Sequence, residues 1–144
     1  MSWKYYDVGL HNVGSYQVSG KPFLTSSTAP ASGSAVTPLK ITFPFVTKKI
    51  VLTNNEQTAN EDMRLAMSAR GVRDEVSNYF VVHAEKDGNG YLELDIKCTE
   101  IHLMSDGSHT ADFSVYAALT SIPVERVTNI SPSGSNWSGS AGIG

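Results

Sequence analysis

Apolar and polar residues alternate along much of the chain with a period of two. Ile41, Phe43 and Phe45 share one side of an extended segment. Met63, Leu65, Met67 and Ala69 share one side of another, with Arg64, Ser68 and Arg70 opposite. Phe80, Val82 and Ala84 alternate with Tyr79, Val81 and His83, and Leu92, Leu94, Ile96 and Cys98 with Glu93, Asp95, Lys97 and Thr99. Phe113, Val115, Ala117 and Leu119 make the last run. Alternation with one polar side predicts strands that face a core on one side and water on the other. No window long enough for a helix places apolar residues at i, i+3, i+4 and i+7 behind a capping residue.

Turn chemistry separates these runs. Asn54-Asn55-Glu56-Gln57 follows Lys49–Thr53, and Ser105-Asp106-Gly107-Ser108 precedes the final run. Asp87-Gly88-Asn89-Gly90 lies between two alternating segments and reads as a hairpin turn. Pro44 interrupts Ile41–Thr47, which places that strand at a sheet edge or breaks it there, since proline donates nothing to a ladder. Between Cys98 and Ile101 the apolar spacing slips from two to three, as at a bulge or at a corner between two sheets. About eight strands of this kind predict an all-β protein, an antiparallel sandwich of the jelly-roll type.

Composition narrows the function classes. The chain has 144 residues, 40% hydrophobic and 17% charged, with a formal net charge of −3. That suits one domain with its own core. The acidic balance argues against nucleic acid, whose phosphates call for a basic surface. A single cysteine, Cys98, leaves no intramolecular disulfide. No long apolar run predicts a membrane span, and Met1–Asp7 lacks the apolar centre of a secretory signal.

Candidate chemistry is sparse. His11, His83, His102 and His109 have no metal-ligand spacing, so no metal or other cofactor is expected. Glu85–Gly90 looks like part of a calcium loop, but Ile96 stands where the bidentate glutamate would be needed. Ser105, Asp106 and His109 hold triad residue types, yet triads are assembled from distant parts of a fold, and no nucleophile elbow is present. Glu93 and Asp95, with Lys97, read as a solvated strip on one strand. Lys48-Lys49 reads as a guard against edge pairing. No catalytic residue emerges, and the expectation is a protein that is not an enzyme. Tyr79, Tyr91 and Tyr116 are the aromatic residues that a glycan site would use.

Three segments are not strand-like. Ser26–Thr37 is small and uncharged, within a stretch from Pro22 to Leu39 that carries no charge at all and suits a subunit boundary. Residues 1–20 contain Trp3, Tyr5 and Tyr6, and glycines at 9, 14 and 20 would permit sharp turns. Residues 124–144 are rich in Ser and Gly with a lone Trp137. The expected organisation is an N-terminal arm over 1–20, a sandwich over 21–123 and a C-terminal arm over 124–144. An arm gains order only on a surface that offsets its backbone entropy. Trp3, Tyr5, Tyr6 and Trp137 are therefore the expected partner-binding anchors.

Asp7-Val8-Gly9-Leu10-His11-Asn12-Val13-Gly14-Ser15-Tyr16-Gln17-Val18-Ser19-Gly20-Lys21-Pro22 resembles the opening of small structural proteins of tailed bacteriophages, cyanophages especially. Phe43–Ile50, Asn78-Tyr79-Phe80, Thr99–Leu103 and Ala117–Pro123 continue the resemblance in order. It implies a jelly-roll capsid decoration (cement) protein, located on the virion and made in the host cytoplasm. Its implied partners are the major capsid protein and further copies of itself, as a homotrimer. The alternative expectation is a receptor- or glycan-binding module of a tail or head fibre, since jelly rolls also serve as lectins.

Overall fold

A computed structural model describes residues 21–126, together with Gly9, Val13 and Gly14. Eight strands follow one another: β1 (Pro22–Ala29), β2 (Leu39–Thr42), β3 (Phe45–Asn54), β4 (Met63–Ala66), β5 (Phe80–Val82), β6 (Tyr91–Leu94), β7 (Glu100–Ser105) and β8 (Ala111–Pro123). Short 3-10 turns occupy Glu85–Asp87 and Val124–Arg126. Two antiparallel sheets result, in the orders β1-β8-β3-β6 and β2-β7-β4-β5. The first strand pairs with the last, the second with the seventh, the third with the sixth and the fourth with the fifth. That nesting is one long hairpin folded over on itself, the jelly roll anticipated from the strand count.

The core follows from the alternation. In β8 Phe113, Val115, Ala117 and Leu119 are all buried, facing Ile50 and Leu52 of β3 within their own sheet and Leu65 and Leu103 across the sandwich. The Phe23 ring meets Phe43 edge-on, centroids 5.2 Å apart. Pro44 sits between β2 and β3, where the chain leaves one sheet for the other, so the strand is broken there as expected. The slip between Cys98 and Ile101 is also a corner, linking β6 to β7 of the opposite sheet. Phe43 N–H donates to Thr99 O at 2.8 Å and Thr47 N–H to Cys98 O at 3.0 Å, tying the two corners together.

Five local expectations are corrected. Ser26–Thr37 is not irregular throughout, because Ser26–Ala29 form the second half of β1, paired with Ala111–Ser114 of β8. Asp87–Gly90 is no hairpin, because β5 and β6 lie at the edges of different sheets. The link is the Glu85–Asp87 turn, stopped by Gly88 in the left-handed region at φ 84°. Lys48-Lys49 guards no edge, since β3 runs between β8 and β6. The strand expected through Ala69 ends at Ala66, and residues 67–76 coil back as turns. Arg64 is not on a wet face. A small second cluster of Ala66, Val72 and Met104, with Val36 and Tyr79, covers the outside of this sheet and encloses it.

Buried polar groups are paired where the loops need them. Asn54, wholly buried, donates from Nδ2 to Glu61 O at 2.9 Å and Val82 O at 3.1 Å, and its Oδ1 accepts from Glu56 N–H at 3.1 Å. One side chain thus orders the loop after β3 and holds it against β5. Among the described residues no helix is long and apolar enough to cross a membrane.

Candidate interaction surface

The first sheet has an outer face that the core does not use. Register places Leu24 beside Tyr116, Tyr116 beside Val51 and Val51 beside Glu93, forming one row across all four strands. The next row is Ser26, Ser114, Thr53 and Tyr91. The two rows enclose a shallow, open hollow of about 460 Å³ lined by Leu24, Ser26, Val51, Thr53, Ser114 and Tyr116. Leu24 is 73% exposed and Tyr116 38%. Among the described residues no charged side chain lines the hollow.

Hydroxyls knit this surface together. Ser26 Oγ and Ser114 Oγ share a hydrogen bond at 2.9 Å, and Asn55 Nδ2 donates to Ser114 Oγ at 2.9 Å. Thr28 Oγ1 donates to Asp112 Oδ1 at 2.6 Å, and Thr53 Oγ1 to Asn55 Oδ1 at 2.9 Å. Charge keeps to the margins, with Asp112 beside Thr28 at one and Glu93 with Lys49 at another. There Glu93 accepts from the Tyr91 hydroxyl and pairs with Lys49 across the strands. Hydrogen bonding to Lys49, and then to Tyr91, holds the Glu93 carboxyl below its ordinary value. The same bonds raise Lys49 and Tyr91. Apolar centre, satisfied hydroxyls and a paired ionic border make a surface that loses little on being dehydrated by a partner.

The residues singled out for chemistry are dispersed. Ser105 Oγ meets His109 Nδ1 at 3.0 Å, but Ser105 is wholly buried and Asp106 turns its carboxylate to Arg64. His83 Nδ1 lies 3.0 Å from Asp62 Oδ2. His102 is buried, with Nε2 3.7 Å from Glu100 Oε1 and, among the described residues, no hydrogen-bond partner for Nδ1. Among the described residues no three of His, Cys, Asp and Glu gather into a metal-ligand group. Cys98 is buried beside Thr47, whose Oγ1 donates to Ile96 O at 2.7 Å and accepts from Cys98 N–H at 3.1 Å. Burial pushes its thiol up to about 11.

Of the three tyrosines, Tyr91 and Tyr116 share the outer face, in adjacent rows two strands apart, while Tyr79 lies on the other sheet beneath the Arg64 guanidinium, 4.5 Å from ring centre to Cζ. The expected anchors Trp3, Tyr5, Tyr6 and Trp137, and His11 with them, lie outside the described residues. Leu24 and Val51 were not anticipated. Their signal was present: Phe23-Leu24 and Ile50-Val51-Leu52 are consecutive apolar residues in strands, so at least one of each group must face away from the core. No protein-family model matches the chain, and no match to it is found among curated proteins or solved structures.

Proposed function

We propose that this protein is a structural component of a tailed-phage virion that decorates and cements the outer surface of the capsid. The observation that carries the reading is the outer face of β1-β8-β3-β6, a four-stranded surface with a shallow, open hollow that, among the described residues, no charged side chain lines. Such a surface suits a broad, relatively flat protein contact. The sequence resemblance supports the same reading, and a jelly roll provides the rigid body it requires. The partners are the major capsid protein and other copies of the chain, as a homotrimer, on the capsid surface after synthesis in the host cytoplasm. Each copy spans neighbouring capsid subunits, and many weak contacts on one lattice add through multivalency.

Binding to expanded capsid shells stripped of this protein tests the proposal. The full chain should co-sediment with shells at a copy number near that of the major capsid protein. Tyr116→Lys, on a central strand but partly exposed, should weaken binding by about tenfold or more. Failure of the folded full chain to bind any shell would sink the reading. Removing Met1–Asp7 separately asks whether Trp3, Tyr5 and Tyr6 serve as anchors.

A second reading, a glycan- or receptor-binding module of a fibre, draws on one observation: Tyr91 and Tyr116 share a face with Ser26, Thr53, Ser114 and Glu93. Sugars are bound by aromatic faces beside hydroxyls and carboxylates. Hits on a glycan array, with only a few dozen copies or fewer per particle, would favour it over the capsid role.

A further inference from the structure

Four strands lie at sheet edges: β1, β6, β2 and β5. Three are blunted in ways that discourage pairing with another chain. β5 has three residues. β2 has four, includes Lys40 and lies between Pro38 and Pro44. β6 has four, with Glu93 inside and Asp95 next to it. β1 differs from all of these: it has eight residues, Pro-Phe-Leu-Thr-Ser-Ser-Thr-Ala, and not one charge.

Hydrogen bonding defines what β1 offers. Leu119 N–H donates to Lys21 O, and on the other side of β8 Asn55 N–H donates to Asp112 O. Antiparallel strands alternate strictly, so odd-numbered residues of β1 turn their backbone groups to β8. Leu24, Ser26 and Thr28 therefore aim N–H and C=O away from the sheet, and among the described residues no strand receives them.

We infer that β1 pairs antiparallel with β1 of a second copy across a two-fold axis at Ser26, fusing two four-stranded sheets into one of eight. Two features of the strand specify this occupant. An isologous pair sets every residue against its symmetry mate's neighbourhood, so any charge near the axis would meet its like; β1 has none. Pro22 and Pro30, neither of which can donate, stand at equal distances from Ser26. With Ser26 on the axis they fall opposite one another, Leu24 falls opposite Thr28, and the paired segment ends where the donors end. The nearest acidic groups, Asp112 of each copy, are three strand spacings apart across the joined sheet and four residues apart along it, about 20 Å in all, beyond the screening length at physiological salt. This contact is independent of the trimer proposed above. A trimer closed elsewhere would be joined to a second one through β1.

The test is the mass of the full chain in solution by sedimentation or light scattering, at micromolar concentration. Wild type should be an even multiple of the chain. Ser26→Pro removes the donor at the axis and spares the β8 ladder, so the mass should halve while circular dichroism and the thermal midpoint stay close to wild type. Ser26→Lys and Ser26→Glu should each halve the mass, and an equimolar mixture of the two should restore it. This second pair of variants decides the matter even where the proline variant fails to fold. A wild-type monomer, or undiminished mass in the folded lysine and glutamate variants, would overturn the inference.

Discussion

Arg64 and Asp106 are 42 positions apart, and Arg64 Nε donates to Asp106 Oδ1 at 2.5 Å from a side chain only 7% exposed. The same guanidinium reaches Asp74 Oδ1 at 2.6 Å and Val72 O at 3.3 Å, above the Tyr79 ring. One arginine thus fastens residues 72–79 and the β7–β8 connection to β4. Burial pulls its pKa down, and the hydrogen bonds it donates to Asp106 and Asp74 outweigh that pull, so the net direction is upward.

Removing this arginine should detach the covering segment. Arg64→Ala is expected to cost about 3 kcal/mol, since it strands Asp106 and opens the second cluster. Asp74→Asn should cost less than about 1 kcal/mol, because that carboxylate is 71% exposed and mostly screened. Urea unfolding gives both values, and hydrogen exchange should show the Arg64→Ala loss concentrated in residues 67–79. Equal costs for the two variants would contradict the account.

Gly88 and Gly90 are two residues apart and should fail for different reasons. A Cβ on Gly90 would sit 2.7 Å from Asn54 O and 2.9 Å from Glu85 Cα, both backbone atoms that cannot turn aside. Gly90→Ala should cost about 2 kcal/mol or more. A Cβ on Gly88 meets nothing within 4 Å, but φ is 84°. Gly88→Ala should cost about 1 kcal/mol, and Gly88→Asn less, because asparagine tolerates the left-handed region. Thermal melts of the three variants would establish the order.

His102 makes stability depend on pH. Burial lowers its pKa against the opposing pull of Glu100, while Lys40 nearby adds to the lowering. A folded-state value below that of the unfolded chain means the unfolded state takes up the proton first. The stabilisation is present above the unfolded value of about 6.5 and is lost as pH falls through the folded value. Wild type should therefore lose stability relative to His102→Phe as the solution is acidified from neutral. Parallel curves for the two proteins would exclude the histidine as the source.

Cys98 should be silent towards thiol reagents. It is fully buried and its thiol is pushed up to about 11, so at mildly alkaline pH it is neither reachable nor ionised. Labelling of the native protein should be slow and accelerate with denaturant in step with unfolding. Rapid labelling without denaturant would mean that the corner between β6 and β7 opens locally.

Much of this was legible in the residues, and the exceptions have a common cause. β8 could be read from Phe113 to Leu119 because one side lies on the core and the other on water, the condition under which alternation carries information. Arg64 was misread because its neighbours Asp74 and Asp106 are brought to it by loops, and nothing local announces a buried charge. Asp87–Gly90 has hairpin chemistry, but whether the flanking strands share a sheet is decided by pairings with distant strands. The outer face was half-visible: Ile50-Val51-Leu52 required an outward apolar residue, while its meeting with Leu24 and Tyr116 depended on the register of three strands.

Joining the first strand to the last also governs when the molecule can come into being. β3, the other neighbour of β8, has only β6 beside it until residues 111–123 have emerged from the ribosome. Contacts so distant along the chain close slowly. Through most of its synthesis the nascent polypeptide therefore exposes strands whose mates have not yet been made, the state in which a chain is most open to mispairing.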